Sequence, residues 1–184
     1  HRVHRRQRQM CIRDSPCIVK PNNGGSSIGV SKVNHIYDLE NKIKIAFKEC
    51  NEVLIEDFLF GKEVSVGVIQ KKDKRIILPV TEIISENELF DYEAKYLGQS
   101  TEITPANISN EEKNLIHEYI NIIYDNIEFN GFTRSEFIIV DGIPHILETN
   151  TIPGFTKQSI IPQQIEAHGL SVRDEINYQI ESIL

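Results

Sequence analysis

The sequence predicts an α+β fold with a largely antiparallel sheet, on three observations. The elements run strand, helix, strands, helix, strands, helix, so strands are grouped rather than alternating singly with helices. Short glycine- and lysine-containing turns separate consecutive strands, which is hairpin spacing. No internal repeat appears. With 184 residues, 40% hydrophobic and 26% charged, the chain can form one domain of two lobes with the composition of a globular protein.

The first fifteen residues, HRVHRRQRQMCIRDS, have no helical or strand period and stop at Pro16. They carry five arginines against one aspartate. RQMCIRDS resembles a translated sequencing adapter, and such a join would explain a fold that begins in mid-domain. Residues 1–15 are therefore read as a non-native or disordered segment. Cys17-Ile18-Val19-Lys20-Pro21 is then a short strand, and Val30 to Val33 resumes it after the loop Asn22 to Gly29. Leu39, Ile43, Ala46, Phe47 and Cys50 recur at helical spacing, with Asn34 or Asp38 available as N-cap. Val53–Leu59, Glu63–Gln70 and Arg75–Thr81 read as three strands, with turns at Gly61-Lys62 and Lys71 to Lys74. Residues 85–106 lack period, and so long a structureless stretch predicts a lid. Ser109 with Glu112 is a capping box opening a helix through Leu115, Tyr119, Ile122, Ile123 and Asn126. Phe132–Val140 and Pro144–Asn150 form a hairpin, and helical segments follow, the last capped by Ser171 with Asp174.

Composition excludes several function classes. No apolar run reaches the ~18 residues of a membrane span, and no secretory signal opens the chain. Cys11, Cys17 and Cys50 have no metal-binding spacing, which fits a reducing cytoplasm. The net charge is −7, and removing the basic first fifteen residues makes the rest more acidic still. Nucleic acid is an improbable partner for such a surface, whereas carboxylates holding divalent cations beside a polyphosphate suit it.

Four groups of residues could carry chemistry. The loop Asn22 to Gly29 has glycines that let backbone N–H groups converge on an anion, and Ser26 and Ser27 add hydroxyls. Gly24 and Gly29 have the outer spacing of a P-loop, but Val30 stands where its lysine must be, so that chemistry is rejected. Lys20, ending the strand before the loop, can meet a phosphate as a point charge. Glu56 and Glu63, at adjacent strand ends, can accept hydrogen bonds from ribose or an adenine amine; their bland reading is two solvated edge charges. Arg134 with Glu136, and Glu148 with Asn150, are each two apart, hence each pair shares a strand face. Two glutamates and an asparagine are oxygen ligands suited to Mg²⁺, and Arg134 could stabilise a transferring phosphoryl group. Last, Asn150 to Thr156 followed by Ser159 leads into a helix N-terminus able to bind a carboxylate.

A shared metal site constrains the hairpin register. A two-residue loop at Asp141-Gly142 would set Glu136 opposite Leu147 and turn the two carboxylates to opposite faces. A three-residue loop of Asp141, Gly142 and Ile143 would set Val140 opposite Pro144, Glu136 opposite Glu148 and Arg134 opposite Asn150. The second register is expected. Opposed glutamates repel unless a cation lies between them.

Together the stretches IVKPNNGGSSIGVSKV, VLIEDFLFGKEVSVGV, FDYEAKYLGQST, FTRSEFIIVDG and ILETNTIPGFTKQSIIP resemble the ATP-grasp fold, and in it the D-alanine–D-alanine ligases, from about Cys17 to the C-terminus. The resemblance implies a fold truncated at its N-terminus, with residues 16–60 the remainder of the central subdomain and 61–184 the C-terminal catalytic subdomain. It implies ATP-dependent ligation of two D-alanines through an acyl phosphate for peptidoglycan precursors, in the cytoplasm, without nucleic acid or membrane, the intact enzyme a homodimer.

The same resemblance assigns roles. Lys20 and Lys95 would contact the ATP phosphates under a loop containing Ser26 and Ser27. Glu56 would meet the adenine end and Glu63 the ribose. Glu136, Glu148 and Asn150 would hold two Mg²⁺ ions, with Mn²⁺ as a substitute. Arg134 and Gly154 would stabilise the tetrahedral intermediate, Ser26 and Tyr96 would order the site, and Ser159, Ile160 and Gly154 would hold the second D-alanine. The family more often has Asp where Glu136 stands. Its N-terminal domain and a further phosphate-contacting lysine have no counterpart here, so the fragment is expected to be inactive alone. Alternatives are another ATP-grasp carboxylate–amine ligase, a D-alanine–D-lactate ligase, or a nucleotide-binding module without catalysis.

Overall fold

The computed structural model describes residues 16–85 and 100–184, and the chain divides into two compact units. The first comprises residues 16–59 with Ser85 and Ser100; the second comprises Phe60–Ile84 and Thr101–Leu184.

In the first unit, β1 (Cys17–Pro21) is flanked by β2 (Ser31–Val33) and β3 (Val53–Asp57), both antiparallel to it. Helix α1 (Ile36–Ala46) packs Leu39, Ile43 and Ala46 against Cys17, Val19 and Val33. Its N-cap is His35, which makes no side-chain cap bond. Neither Asn34 nor Asp38 caps it: Asn34 falls one residue early, and Asp38 lies inside the first turn, where its charge favours the helix dipole. The helix also stops at Ala46, with Phe47 as C-cap and about half exposed. Phe47 and Cys50 thus fit the helical period without belonging to the helix.

The second unit is built on a six-stranded sheet. Its centre is β4 (Lys62–Lys71) paired with β8 (Gly131–Val140) from Lys62↔Ile139 to Gln70↔Gly131. Strands β5 (Lys74–Ile77) and β6 (Thr81–Ser85) both pair with β4, β7 (Ser100–Ile103) borders β6, and β9 (Ile143–Asn150) borders β8. Two corrections to the expected strands follow. Arg75–Thr81 is not one strand but the parts of two, interrupted at Leu78-Pro79-Val80; proline lacks the N–H that a ladder needs. Residues 100–103 are a strand although they fall in the stretch read as structureless.

Each face of this sheet has its own core. Val64, Val66, Val68, Phe137 and Ile139 pack under α2 (Asn110–Asn126) through Ile116, Ile120 and Tyr124. The Ser109–Glu112 capping box is formed in both directions, at 3.1 and 2.7 Å. The buried stripe of α2 is Ile116, Ile120 and Tyr124, while Ile122 is half exposed; the isoleucine-rich sequence supports either stripe, and packing selects one. The other face meets α3 (Ile160–Ala167), where Ile161 and Ile165 join Ile69, Ile76 and Leu78. Each such side chain contributes about 1.5–3 kcal/mol on burial. Pro162 sits in the first turn of α3, where a missing N–H costs nothing. Helix α4 (Val172–Glu181) is capped by Ser171, whose hydroxyl accepts from the Asp174 N–H at 3.3 Å.

Gln164 of α3 is fully buried and donates from Nε2 to the Ser65 carbonyl and to Thr81 Oγ1, both at 2.9 Å. Gly67 makes room for it: a Cβ there would lie 2.4 Å from Gln164 Oε1 and 2.5 Å from Ile161 Cδ1. Gly67→Ala is therefore expected to push α3 off the sheet and cost about 1–3 kcal/mol, measurable as a lower denaturant midpoint. A second expectation concerns His117 on α2, whose Nε2 is buried without a hydrogen-bond partner among the described residues. Burial, and then the Lys113 charge, hold its pKa below the ordinary value. The unfolded chain then binds the extra proton, so stability should be lost as pH falls below about 6.5. His117→Leu should flatten that limb of a melting-temperature profile; an unchanged slope would refute the assignment.

Candidate functional site

In the first unit, β1 and β3 bring Lys20 and Glu56 together. Lys20 pairs with Leu54 and Ile18 with Glu56, so the two charged residues are diagonal neighbours on one face. Lys20 Nζ lies 2.5 Å from Glu56 Oε2. The glycine loop leaves β1 beside them. Its root is tied to Glu52 twice, by the Asn22 N–H to the Glu52 carbonyl at 2.9 Å and by Asn22 Nδ2 to Glu52 Oε2 at 2.7 Å. Ser26 and Ser27 have φ of 55° and 58°, the left-handed region that costs a non-glycine residue about 1–2 kcal/mol. Two consecutive serines held there imply that the loop conformation is imposed by its surroundings.

The second unit carries the acidic group. Glu136 stands opposite Glu148, and Arg134 opposite Asn150. The loop that achieves this differs from the one expected. Val140 pairs with Ile143 across a two-residue turn, with φ of 50° at Asp141 and 80° at Gly142, as a hairpin turn of that length favours. The register then shifts between Phe137↔Ile146 and Glu136↔Glu148, leaving Leu147 as the extra residue of a β-bulge. The carboxylates face each other through the bulge and not through a longer loop.

Glu136 is 3% exposed, and Arg134 donates to its Oε1 at 2.7 Å. Arg134 Nε is buried with no hydrogen-bond partner among the described residues. Asn150 Oδ1 accepts from the Ile152 N–H at 2.9 Å, using one lone pair and leaving the other. Among the described residues no three or more His, Cys, Asp and Glu side chains form a metal cluster. The set here is two carboxylates and one amide oxygen, all hard donors, and it fits Mg²⁺ rather than a thiolate- or imidazole-preferring metal.

Beyond β9, Phe155 stacks on Phe132 with centroids 4.7 Å apart and so anchors the loop on the core. The turn ahead of α3 is closed by the Thr156 N–H to Ser159 Oγ at 3.0 Å and the Ser159 N–H to the Thr156 carbonyl at 2.9 Å. Gly154 fits against it, since a Cβ there would approach Ser159 Oγ to 3.1 Å. Ser159 is the N-cap of α3 and Ile160 its first residue.

The expected residues thus fall into separate groups. Lys20, Ser26, Ser27 and Glu56 belong to the first unit, and Arg134, Glu136, Glu148, Asn150, Gly154, Ser159 and Ile160 to the second. Glu56 and Glu63 are not at adjacent strand ends of one sheet: β3 belongs to the three-stranded sheet and β4 to the six-stranded one. Lys95 and Tyr96 lie outside the described residues, as do residues 1–15.

Comparison with known proteins decides the family, because one family model runs along nearly the whole chain. Residues 4–181 match the family described as D-ala D-ala ligase C-terminus. The chain belongs to that family.

Among D-alanine–D-alanine ligases, that of Flavobacterium johnsoniae is 54% identical over 166 residues, covering 90% of this chain and 51% of the relative. That of Phocaeicola vulgatus is 44% identical, covering 91% and 52%. The chain spans about half the length of the curated relatives it matches. Of solved structures, the Bacillus anthracis D-alanine–D-alanine ligase aligns with TM-score 0.79 and 29% identity, over 96% of this chain and 56% of that one. The Enterococcus faecalis VanG D-Ala:D-Ser ligase aligns with TM-score 0.81 and 30% identity, over 99% and 54%. The fold is therefore the ATP-grasp fold of the D-alanine–D-alanine ligases.

Sequence reasoning missed two polar residues of the second unit near Arg134, Glu102 on β7 and Gln163 on α3, which share a hydrogen bond of 3.1 Å. The only trace of Glu102 was a charge between Thr101 and Ile103 in a segment read as lid. If the Glu136–Glu148 pair takes a cation, Mg²⁺ should raise the melting temperature of the chain. Glu148→Gln should remove that increment and, in chelator, leave the protein about 0.2–1 kcal/mol more stable by relieving the opposed charges. A full Mg²⁺ response in Glu148→Gln would place the ion elsewhere.

Proposed function

We propose that this chain is the C-terminal, nucleotide-binding part of an ATP-dependent D-alanine–D-alanine ligase that serves peptidoglycan precursor synthesis in the cytoplasm. One observation carries the reading. On a single face of β8 and β9, a buried carboxylate is opposed by a second carboxylate, with a partly buried arginine and an amide oxygen two residues along. That grouping suits transfer of a phosphoryl group from ATP to a carboxylate, which needs charge neutralisation and positioning more than covalent help from the protein. Glu136, Glu148 and Asn150 would hold Mg²⁺, which when bound neutralises phosphate charge. Lys20, with the Ser26–Ser27 loop, would receive the phosphates, exchanging its present partner Glu56 for them and freeing that carboxylate for the adenine end. Glu63 would meet the ribose.

The Nε–H donor of Arg134 is the feature most directly suited to the chemistry. Its Nε–H is buried without a partner among the described residues, so an anionic oxygen arriving there gains a charge-assisted hydrogen bond that the resting site lacks. The acyl phosphate formed on the first D-alanine would be attacked by the amine of the second, forming the peptide C–N bond as the acyl C–O bond breaks and inorganic phosphate leaves. The acceptor's carboxylate would be held at Gly154, Ser159 and Ile160. By the same resemblance Lys95 would contact the ATP phosphates and Tyr96 would order the site.

A second acceptor is favoured by one specific finding, the likeness to a ligase described as D-Ala:D-Ser. Both readings share the ATP site and differ only in the acceptor.

The test joins residues 16–184 to the N-terminal half of the Flavobacterium johnsoniae ligase. The joined enzyme should release phosphate only with a D-amino acid present and yield D-Ala-D-Ala, with D-serine and D-lactate as comparison acceptors. The 184-residue chain alone should yield none. Arg134→Ala should lower kcat by about 10²–10³. Phosphate release independent of D-alanine, or full activity in Arg134→Ala, would refute the proposal.

A further inference from the structure

Helix α3 and strand β7 are linked by one side chain. Gln163 Nε2 donates to Glu102 Oε2 at 3.1 Å and to the Gln158 carbonyl at 3.0 Å, which uses both amide protons. Gln158 immediately precedes Ser159, so this link ties the middle of the Thr156–Ser159 turn to the sheet edge, between the Phe155 ring before it and α3 after it. The carboxylate of Glu102 therefore fixes the rotamer of Gln163, and Gln163 fixes the carbonyl of the turn. Glu102 is itself held at a cost. Burial raises its pKa, while the Gln163 hydrogen bond and the Arg134 charge counter that rise. A half-buried carboxylate kept at the rim of a polar site, with its hydrogen bond spent on a loop-holding amide, is an expensive way to support a surface turn unless the turn must be held in place.

We propose that Glu102 is a positioning residue for the acceptor: through Gln163 it holds the Thr156–Ser159 turn in the conformation that presents Ser159 and Ile160 to the acceptor's carboxylate. The assignment rests on the ligase reading for the identity of the acceptor, but not for the tether itself. Because the tether needs a hydrogen-bond acceptor at position 102 and not a charge, Glu102→Gln should preserve it and Glu102→Ala should break it. Gln163→Met breaks it from the helix side and serves where Glu102→Ala fails to fold.

Two measurements test this. In the 184-residue chain, the Ser159 amide, bonded to the Thr156 carbonyl at 2.9 Å, should exchange about tenfold faster in Glu102→Ala and Gln163→Met, and at the original rate in Glu102→Gln. In the joined enzyme, the same two variants should raise the acceptor KM about tenfold with kcat within about twofold, again with Glu102→Gln near the original. Unchanged exchange in both tether-breaking variants overturns the proposal. So does a loss of kcat at constant KM that Glu102→Gln shares, because that pattern would mean Glu102 acts by charge on Arg134. If the unsubstituted joined enzyme makes no dipeptide, the ligase reading fails, and the exchange rates still decide whether Glu102 holds the turn.

Discussion

The second unit depends on the ladder between β4 and β8. Its nine paired positions set which residues look toward α2 and which toward α3, and every other strand of the six-stranded sheet borders one of these two or follows from it. One face is mostly apolar because Val64, Val66, Val68, Phe137 and Ile139 alternate onto it, with only the small hydroxyl residues Thr133 and Ser135 buried among them. The other is divided. Toward Gln70 it carries Ile69 against Ile161 and Ile165; toward Lys62 it carries Ser65 and Glu136, a buried cross-strand pair. Polar groups so deep are tolerated where they are satisfied or serve a ligand. Gln164 satisfies two acceptors there, while Ser65 Oγ and Arg134 Nε have no partner among the described residues.

Much of this was legible in the sequence, for identifiable reasons. Strong local signals located their elements: the Ser109–Glu112 box, the Ser171 cap and the Asp141-Gly142 turn each work through chemistry within three residues. The pairing of Glu136 with Glu148 was also legible, because the expectation of a shared cation asks for both carboxylates on one face. What could not be read was how the register is reached. A bulge leaves no local signature at Leu147, so loop length alone leads to the right partners by the wrong turn. Pro79 was visible, but its power to split a strand into β5 and β6 depends on both parts pairing with the same neighbour. Which residues of α2 lie deepest was not legible, because Ile120 and Ile122 are chemically alike and only the sheet beneath distinguishes them.

The site residues show the same division. Lys20, Glu56, Arg134 and Glu136 stand out as charges inside apolar strands, and the resemblance gave them roles. Glu102 and Gln163 stand 61 positions apart, and neither is unusual in its own segment. Their relation exists only once β7 joins the sheet edge and α3 packs on its face. The sequence also gives no hint that Lys20 and Glu56 are mutual partners, since two separate ligand roles and one ion pair require the same residue types.

The bulge at Leu147 has a consequence for how such a hairpin can vary in length. Removing that one residue would leave Val140↔Ile143, Phe137↔Ile146, Glu136↔Glu148 and Arg134↔Asn150 all as they are, since Leu147 has no partner to lose. The outer half of β9 keeps phase with the tight turn, the inner half keeps phase with the carboxylates, and the surplus residue absorbs the mismatch between them. A strand built this way is buffered against a single-codon deletion beside the end that carries Glu148 and Asn150. Its cost would be a straighter strand, because the added local twist of a bulge would go with it.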